Sequence, residues 1–451
     1  MAIEATAMGA ARRQGGLLKV LGLAFGLSIT VGSMIGGGIL RGPGPVAAHL
    51  AAPALVLALW LAGGVHSALE CNLVAELSTA FPRAGGSYVY AERAFGRLGG
   101  LAVGWADWVS NSASIAALGF ALAEFAGALS PWIKGHVAPT AMVMEALLFV
   151  LSAFGVREGA WFQNLVTLAK FVALALLVLA ALALLPAVSS TGSGRAAGLA
   201  GGLAGGILAY QLIVGAYTGW NSPAYFAEET RDPGRAIPRS MFASVAAVAI
   251  LYVAINGALV RGLPFPRLAA SDLPLADLSA RLIGPAGATV FTLIAIAAVA
   301  SCLNGTIMLT PRIIFALARD RLFPALGSVV NRGGTPVLSL AATGLISLIF
   351  TATGSFETAF RLLGLFTVLI NVVMNLALFR LRAARPDVER PFRAWLFPYA
   401  PLLALVLDLG LVGAFAWADP KGALWGALLL LGAIPVWMLM RFSRPARRGS
   451  A

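Results

Sequence analysis

Apolar residues run in blocks along nearly the whole chain, and Arg, Pro, Gly and acidic residues collect in the short stretches between them. A helix of about 20 apolar residues spans the ~30 Å hydrocarbon core of a bilayer. The pattern therefore predicts an all-α polytopic membrane protein of about twelve transmembrane helices with both ends on one side. The first six apolar blocks cover approximately residues 17–49, 53–80, 98–129, 139–154, 165–185 and 201–226, and a seventh covers 241–260. Polar, turn-rich stretches separate them, notably FPRAGGSYVYAERAFG after the second block and EETRDPGRAIPRS after the sixth. VREGAWFQN reads as a short amphipathic link before the fifth block, and residues 189–200 as a flexible Gly/Ser-rich connection.

Two blocks are interrupted. The first contains GSMIGGGI, where Gly36, Gly37 and Gly38 each disfavour helix by roughly 1 kcal/mol relative to Ala. The sixth contains GAYTGWNSP, where Gly215, Gly219 and Pro223 fall within a few residues. Inside a bilayer a broken helix is tolerated only where protein buries it or where it lines a wet cavity. Its bare amides attract an anion and its bare carbonyls a cation, so a pair of breaks suits a zwitterion such as an amino acid. Because the breaks open corresponding halves, they predict a five-plus-five inverted repeat with discontinuous helices 1 and 6. The repeats would occupy residues 17–187 and 200–383, followed by two C-terminal helices over 394–441 and flanked by tails at 1–16 and 442–451.

Composition sharpens this picture. The 451 residues are 59% apolar and 11% charged, outside the range of soluble globular domains. The net charge of +13 does not point to nucleic acid, because the basic residues are unevenly distributed. With the N-terminus inside, inner segments hold 23 Lys and Arg, outer segments hold 8, and Lys170 alone lies within a span. That bias orients both termini toward the cytoplasm, and the expected location is a bacterial-type inner membrane. Cys71 and Cys302 fall inside spans, and His49, His66 and His136 show no metal-like spacing, so neither a cofactor nor a metal is expected.

Several stretches, in order, resemble the amino acid–polyamine–organocation superfamily, and within it the L-type amino-acid transporter and bacterial permease branch. They are GSMIGGGI, AELSTAFPRAGGSYVYAERAFG, FQNLVTLAKFVALALL, AYTGWNSPAYFAEETRDPGRAIP and PRIIFALARDRLFP. The resemblance implies a secondary active transporter that works by alternating access. It implies that the amides of Gly37 and Gly38 meet the substrate carboxylate, and that the carbonyls of Ile35, Gly215 and Thr218 take its ammonium group. Gly36, Ala216, Tyr217 and Gly219 would complete the unwound lining. Where relatives carry an aromatic gate or an acidic side chain, this chain has Gly215 and Thr218. A roomier, uncharged pocket for a neutral L-amino acid is therefore expected. The resemblance also implies no disulfide-linked heavy subunit, since no cysteine lies outside the spans.

Charged residues within spans need partners or a function. By the resemblance, Lys170 stands beside broken helix 1 where sodium-coupled relatives hold a cation, and it would couple transport or set the gate by losing and regaining a proton. The alternative is snorkelling to the nearby membrane surface. Glu70 reads equally as a proton site or as a hydrogen-bonded bundle residue. Asp107, Glu145 and Asp408 read as structural pairs, with Asp107 and Glu70 also able to charge the pocket. Trp220 and Tyr217, beside the second break, are gate candidates. The competing readings are a cationic amino-acid or polyamine carrier, an exchanger without proton coupling and, from another class, a polytopic lipid-modifying enzyme.

Overall fold

The computed structural model describes residues 21–442, except 51, 155, 189–201, 332–333 and 355. The expected tails at 1–16 and beyond 442, and the connection over 189–200, lie outside the described residues. Among those described, the fold is helical throughout, with one isolated bridge between Leu21 and Thr230. Among the described residues, nine helices are long and apolar enough to cross a membrane. Three shorter apolar helices, Val137–Ala153, Gly202–Ala216 and Val337–Thr353, account for the remaining predicted blocks.

The first block folds as α1 (Leu23–Met34), α2 (Gly37–Arg41) and α3 (Pro43–His49). Only Ile35 (φ −80°, ψ 88°) and Gly36 (φ −141°, ψ −150°) leave the helix, so Gly37 and Gly38 already start the second half. The next helices are α4 (Pro53–Ala80), α5 (Ser87–Gly127), α6 (Val137–Phe154) and α7 (Val156–Leu184). The sixth block divides into α8 (Gly202–Ala216) and the short α9 (Ser222–Tyr225), with a turn between them. The second half continues with α10 (Pro233–Gly262), α11 (Pro285–Leu309), α12 (Pro311–Arg319), α13 (Val337–Thr353) and α14 (Phe356–Ala384). Two further apolar segments close the chain: α15 (Tyr399–Ala418), and α16 (Pro420–Leu431) running into α17 (Ala433–Phe442).

Two stretches expected as connections are helical instead. Residues from Ser87 form the first turns of α5, which bends at Gly96 (φ +79°). The outer stretch between α10 and α11 holds two short helices, Phe265–Ala269 and Pro274–Ile283. The amphipathic link before the fifth block is continuous with α7. Gly96 offers a simple test. A Cβ there would meet nothing within 4 Å, so Gly96→Ala carries only the backbone cost of its positive φ (φ +79°, ψ −173°), about 1–3 kcal/mol. A thermal midpoint lowered by a few degrees in detergent is expected, with transport retained.

One end of the bundle is locked by ion pairs. Leu21 N–H donates to the Glu229 carbonyl (2.9 Å) and Arg231 N–H donates to the Leu21 carbonyl (3.0 Å), joining the start of block one to the end of block six. The Glu229 carboxylate accepts from Arg312 Nε (2.6 Å) and Nη2 (3.0 Å), and the Arg312 guanidinium lies over the Phe226 ring. Glu228 pairs with Arg319, and Asp320 accepts from Arg83 and Tyr88. Glu76 pairs with Arg382 and Arg390 and accepts from the Ala394 amide (2.7 Å).

Candidate substrate site

The two breaks meet in the middle of the bundle. A Cβ added to Gly38 would lie 2.6 Å from Ala216 Cα, and one added to Gly219 would lie 2.7 Å from Ser33 Cβ. Gly219 has φ +99°, a backbone state that a side chain would strain. The Tyr252 hydroxyl from α10 reaches the Met34 carbonyl (2.5 Å) and the Ala216 carbonyl (3.2 Å), so one phenol spans the ends of both half-helices. No sequence signal singled out Tyr252, which sits in an ordinary apolar block.

Two adjoining cavities share Ser33, Ser114, Thr218 and Leu363 in their walls. The smaller, about 20 Å³, lies against the first break and includes Gly36, Gly37, Gly38, Gly215, Ala216, Thr218 and Cys302. Its lining carries no charged side chain. The larger, about 70 Å³, is bounded by Asp107, Asn111, Thr218, Gly219, Trp220, Tyr225 and Asn371. Of the residues singled out in the sequence, the two cavities bring together Gly36, Gly37, Gly38, Gly215, Ala216, Thr218, Gly219, Trp220 and Asp107.

Ile35 and Tyr217 fall outside both linings. Ile35 is fully buried, and its carbonyl accepts from Lys170. Tyr217 packs against Trp60 and Tyr252 and donates its hydroxyl proton to the Trp60 carbonyl (2.9 Å). The Gly215 carbonyl accepts from the Thr218 amide (3.2 Å) and hydroxyl (2.7 Å), which leaves the Thr218 carbonyl as the acceptor without such a partner among those inferred from the resemblance.

The expected roominess at Gly215 is corrected by Phe360 of α14. Its ring edge would be 2.9 Å from a Gly215 Cβ and 3.3 Å from one on Gly38, so another helix supplies an aromatic at this place. The apolar pattern around Phe360 gives no hint of that position.

Lys170 does not snorkel. Along α7, Leu168, Leu176 and Leu179 are each more than 60% exposed, whereas Lys170, Leu174, Val178 and Ala181 form a buried stripe at helical spacing. The Lys170 ammonium donates to the carbonyls of Gly32 (2.8 Å), Ile35 (2.7 Å) and Ala298 (3.2 Å). Two of these are bare carbonyls at the C-terminal end of α1, where partial negative charge accumulates. The side chain is thus a resident cation at the break.

Asp107 accepts from the Tyr225 hydroxyl (2.6 Å) and from Asn111 (2.8 Å), consistent with a structural pair that also borders the larger cavity. Glu145 accepts from Thr351 (2.7 Å). Glu70 lies outside both cavities, grouped with His66 and Asp408; their ligating atoms lie within 4.8 Å of one another. Spacing along the chain gave no sign of that group, because His66 and Asp408 are 342 residues apart.

Broken helices abutting at mid-bundle, with small cavities at the break, match the discontinuous-helix architecture of membrane transporters. The amino acid permease family model matches residues 16–439, and the chain belongs to that family. It is 26% identical over 441 residues to the serine/threonine exchanger SteT of Bacillus subtilis (strain 168), covering 94% of this chain and 98% of that one. It is 27% identical over 449 residues to the mouse (Mus musculus) b(0,+)-type amino acid transporter 1, covering 96% and 92%. It is 27% identical over 450 residues to the mouse large neutral amino acids transporter small subunit 2, covering 94% and 81%. The protein is an integral membrane amino-acid transporter, not an enzyme.

Proposed function

We propose that the chain carries small neutral L-amino acids by alternating access. The observation that carries this reading is the lining of the smaller cavity, which is glycine, alanine, serine, threonine and apolar side chains with no charge. The amides of Gly37 and Gly38 open a half-helix and suit a carboxylate, and the Thr218 carbonyl suits the ammonium group. Phe360 closes over Gly215 and Gly38 and limits the side chain that fits. Trp220, buried at the wall of the larger cavity, is placed to gate it.

Lys170 takes the place of a coupling cation, holding the end of α1 by three carbonyls. In this reading the two repeats would occupy 17–187 and 200–383, followed by the two C-terminal helices expected over 394–441. Both termini face the cytoplasm of a bacterial inner membrane, in keeping with the basic bias of that side. A disulfide-linked heavy subunit is not required, since Cys71 and Cys302 are both free and buried.

Asp107 favours a second reading, because a carboxylate at the wall of the larger cavity suits a cationic substrate. Counterflow in proteoliposomes separates the two. Exchange of labelled alanine, serine and threonine well above arginine and putrescine is expected, with Asp107→Asn leaving that order unchanged. Preference for arginine that Asp107→Asn abolishes would establish the second reading. Absence of counterflow for every amino acid would remove both.

A further inference from the structure

The group formed by His66, Glu70 and Asp408 is not used by the substrate site, and its hydrogen bonding is short of donors. His66 Nε2 lies 2.9 Å from Asp408 Oδ1, and the Tyr210 hydroxyl lies 3.4 Å from His66 Nδ1. A neutral His66 meets both contacts with its proton on Nε2, donating to Asp408 and accepting from Tyr210. The remaining donor is the Asn375 amide, whose Nδ2 faces Glu70 (3.3 and 3.5 Å), Asp408 Oδ2 (3.3 Å) and the Asn371 carbonyl (3.1 Å). Two amide hydrogens thus serve three acceptor groups.

The Oδ1 of the same buried amide has no partner. No Lys or Arg pairs with Glu70 or Asp408 among the described residues. With both carboxylates ionised and the imidazole neutral, the group would hold two uncompensated negative charges in a site where no member exceeds 5% exposure. Adjacent carboxylates in such a place do not both stay ionised.

We propose that Glu70 and Asp408, with His66, form a buried proton-binding site that couples amino-acid movement to a proton gradient. The first proton settles on the Glu70–Asp408 pair and lowers its charge from −2 to −1. A second proton leaves the group neutral. The unpartnered Asn375 Oδ1, turned inward by rotation of the amide, accepts the proton of a carboxylic acid. Both protons come from water in the larger cavity, whose wall includes Asn371, one helical turn from Asn375.

The geometry also shows how loading is felt at the breaks. His66 and Glu70 lie on α4, Asn371 and Asn375 on α14, and Asp408 on α15. Tyr210 lies on α8, the half-helix that ends at the second break, and its ring stacks on the His66 ring at 6.3 Å and 21°. The titratable groups facing the site are therefore His66, Asp408, Tyr210 and the neighbouring Cys71 thiol. A proton that changes the His66–Tyr210 contact changes how α8 is held against α4. This coupling is a step beyond the transporter reading and rests on it.

Proteoliposomes loaded with a pH dye test the proposal. An acid-outside gradient of about one pH unit is expected to drive up to about tenfold accumulation of labelled substrate per proton carried, with acidification of the lumen. Glu70→Gln keeps the shape and removes the charge; it should lose gradient-driven accumulation and lumen acidification while counterflow persists. Asp408→Asn should behave the same way and guards against a folding defect in one variant.

Wild-type counterflow that ignores the gradient would overturn the coupling while leaving the transporter reading intact. So would a Glu70→Gln variant that still accumulates substrate. A gradient response abolished by EDTA and restored by Mn²⁺ or Zn²⁺ would also overturn it, assigning the same three ligands to a metal.

Discussion

Replacing Lys170 by methionine is expected to lower transport by about two orders of magnitude at every pH. The substitution keeps most of the side-chain volume and removes only the ammonium group. Three carbonyls, of Gly32, Ile35 and Ala298, then lose their donor inside the bundle. Leaving even two of them bare costs about 3 kcal/mol, which is about a hundredfold in an equilibrium. The cost falls on the end of α1, so the arrangement that brings Ser33, Gly36 and Gly38 to the cavity is the one destabilised.

Uptake measured against external pH distinguishes a fixed cation from a switching one. A fixed ammonium scales the whole profile down, whereas a group that gains and loses its proton during the cycle also changes the profile's shape. Retention of wild-type rates in Lys170→Met would show that the ammonium is dispensable, and the cation role would fall. Residual transport with a displaced pH profile would return proton coupling to Lys170 and away from Glu70.

Both breaks and the lone lysine were legible in the sequence for a simple reason. Glycine triplets and a charge inside an apolar block violate the pattern around them, and a violation is visible without knowing what it touches. Pairing across the bundle was not legible. Phe360 stands over Gly215, Tyr252 spans Met34 and Ala216, and Asp408 meets His66, each through contacts between residues far apart in the chain.

Hydrophobic periodicity says which way a helix face points, not which residue it meets. The start of α5 was read as a connection because Ser87, Glu92 and Arg93 interrupt the apolar pattern, although its first residues pack into the bundle. The carbonyl of Ile35 illustrates a further limit. The resemblance places it at the substrate, but the Lys170 ammonium already donates to this acceptor. Backbone groups at a break are shared between substrate and scaffold, and only geometry shows how they are divided.

Substituting Gly38 by valine is expected to abolish measurable exchange while the protein remains folded. The first atom of any side chain there would sit 2.6 Å from Ala216 Cα and 2.8 Å from its Cβ. These belong to the opposing half-helix and cannot swing aside, so the two breaks must separate. Overpacking of this kind costs about 1–3 kcal/mol even in a forgiving core, and here it falls on the surface proposed to close around the substrate.

Gly215→Ala provides the matched control, since its nearest neighbour is the edge of the Phe360 ring at 2.9 Å, which can rotate away. Gly38→Ala should therefore lose at least about tenfold more exchange than Gly215→Ala, a difference of about 1.4 kcal/mol. Size-exclusion profiles and thermal midpoints should stay close to wild type for both. Equal losses at the two positions would mean that the contact between Gly38 and Ala216 opens freely during the cycle. The close approach of the two unwound segments would then be one conformation among several, not the surface that grips the zwitterion.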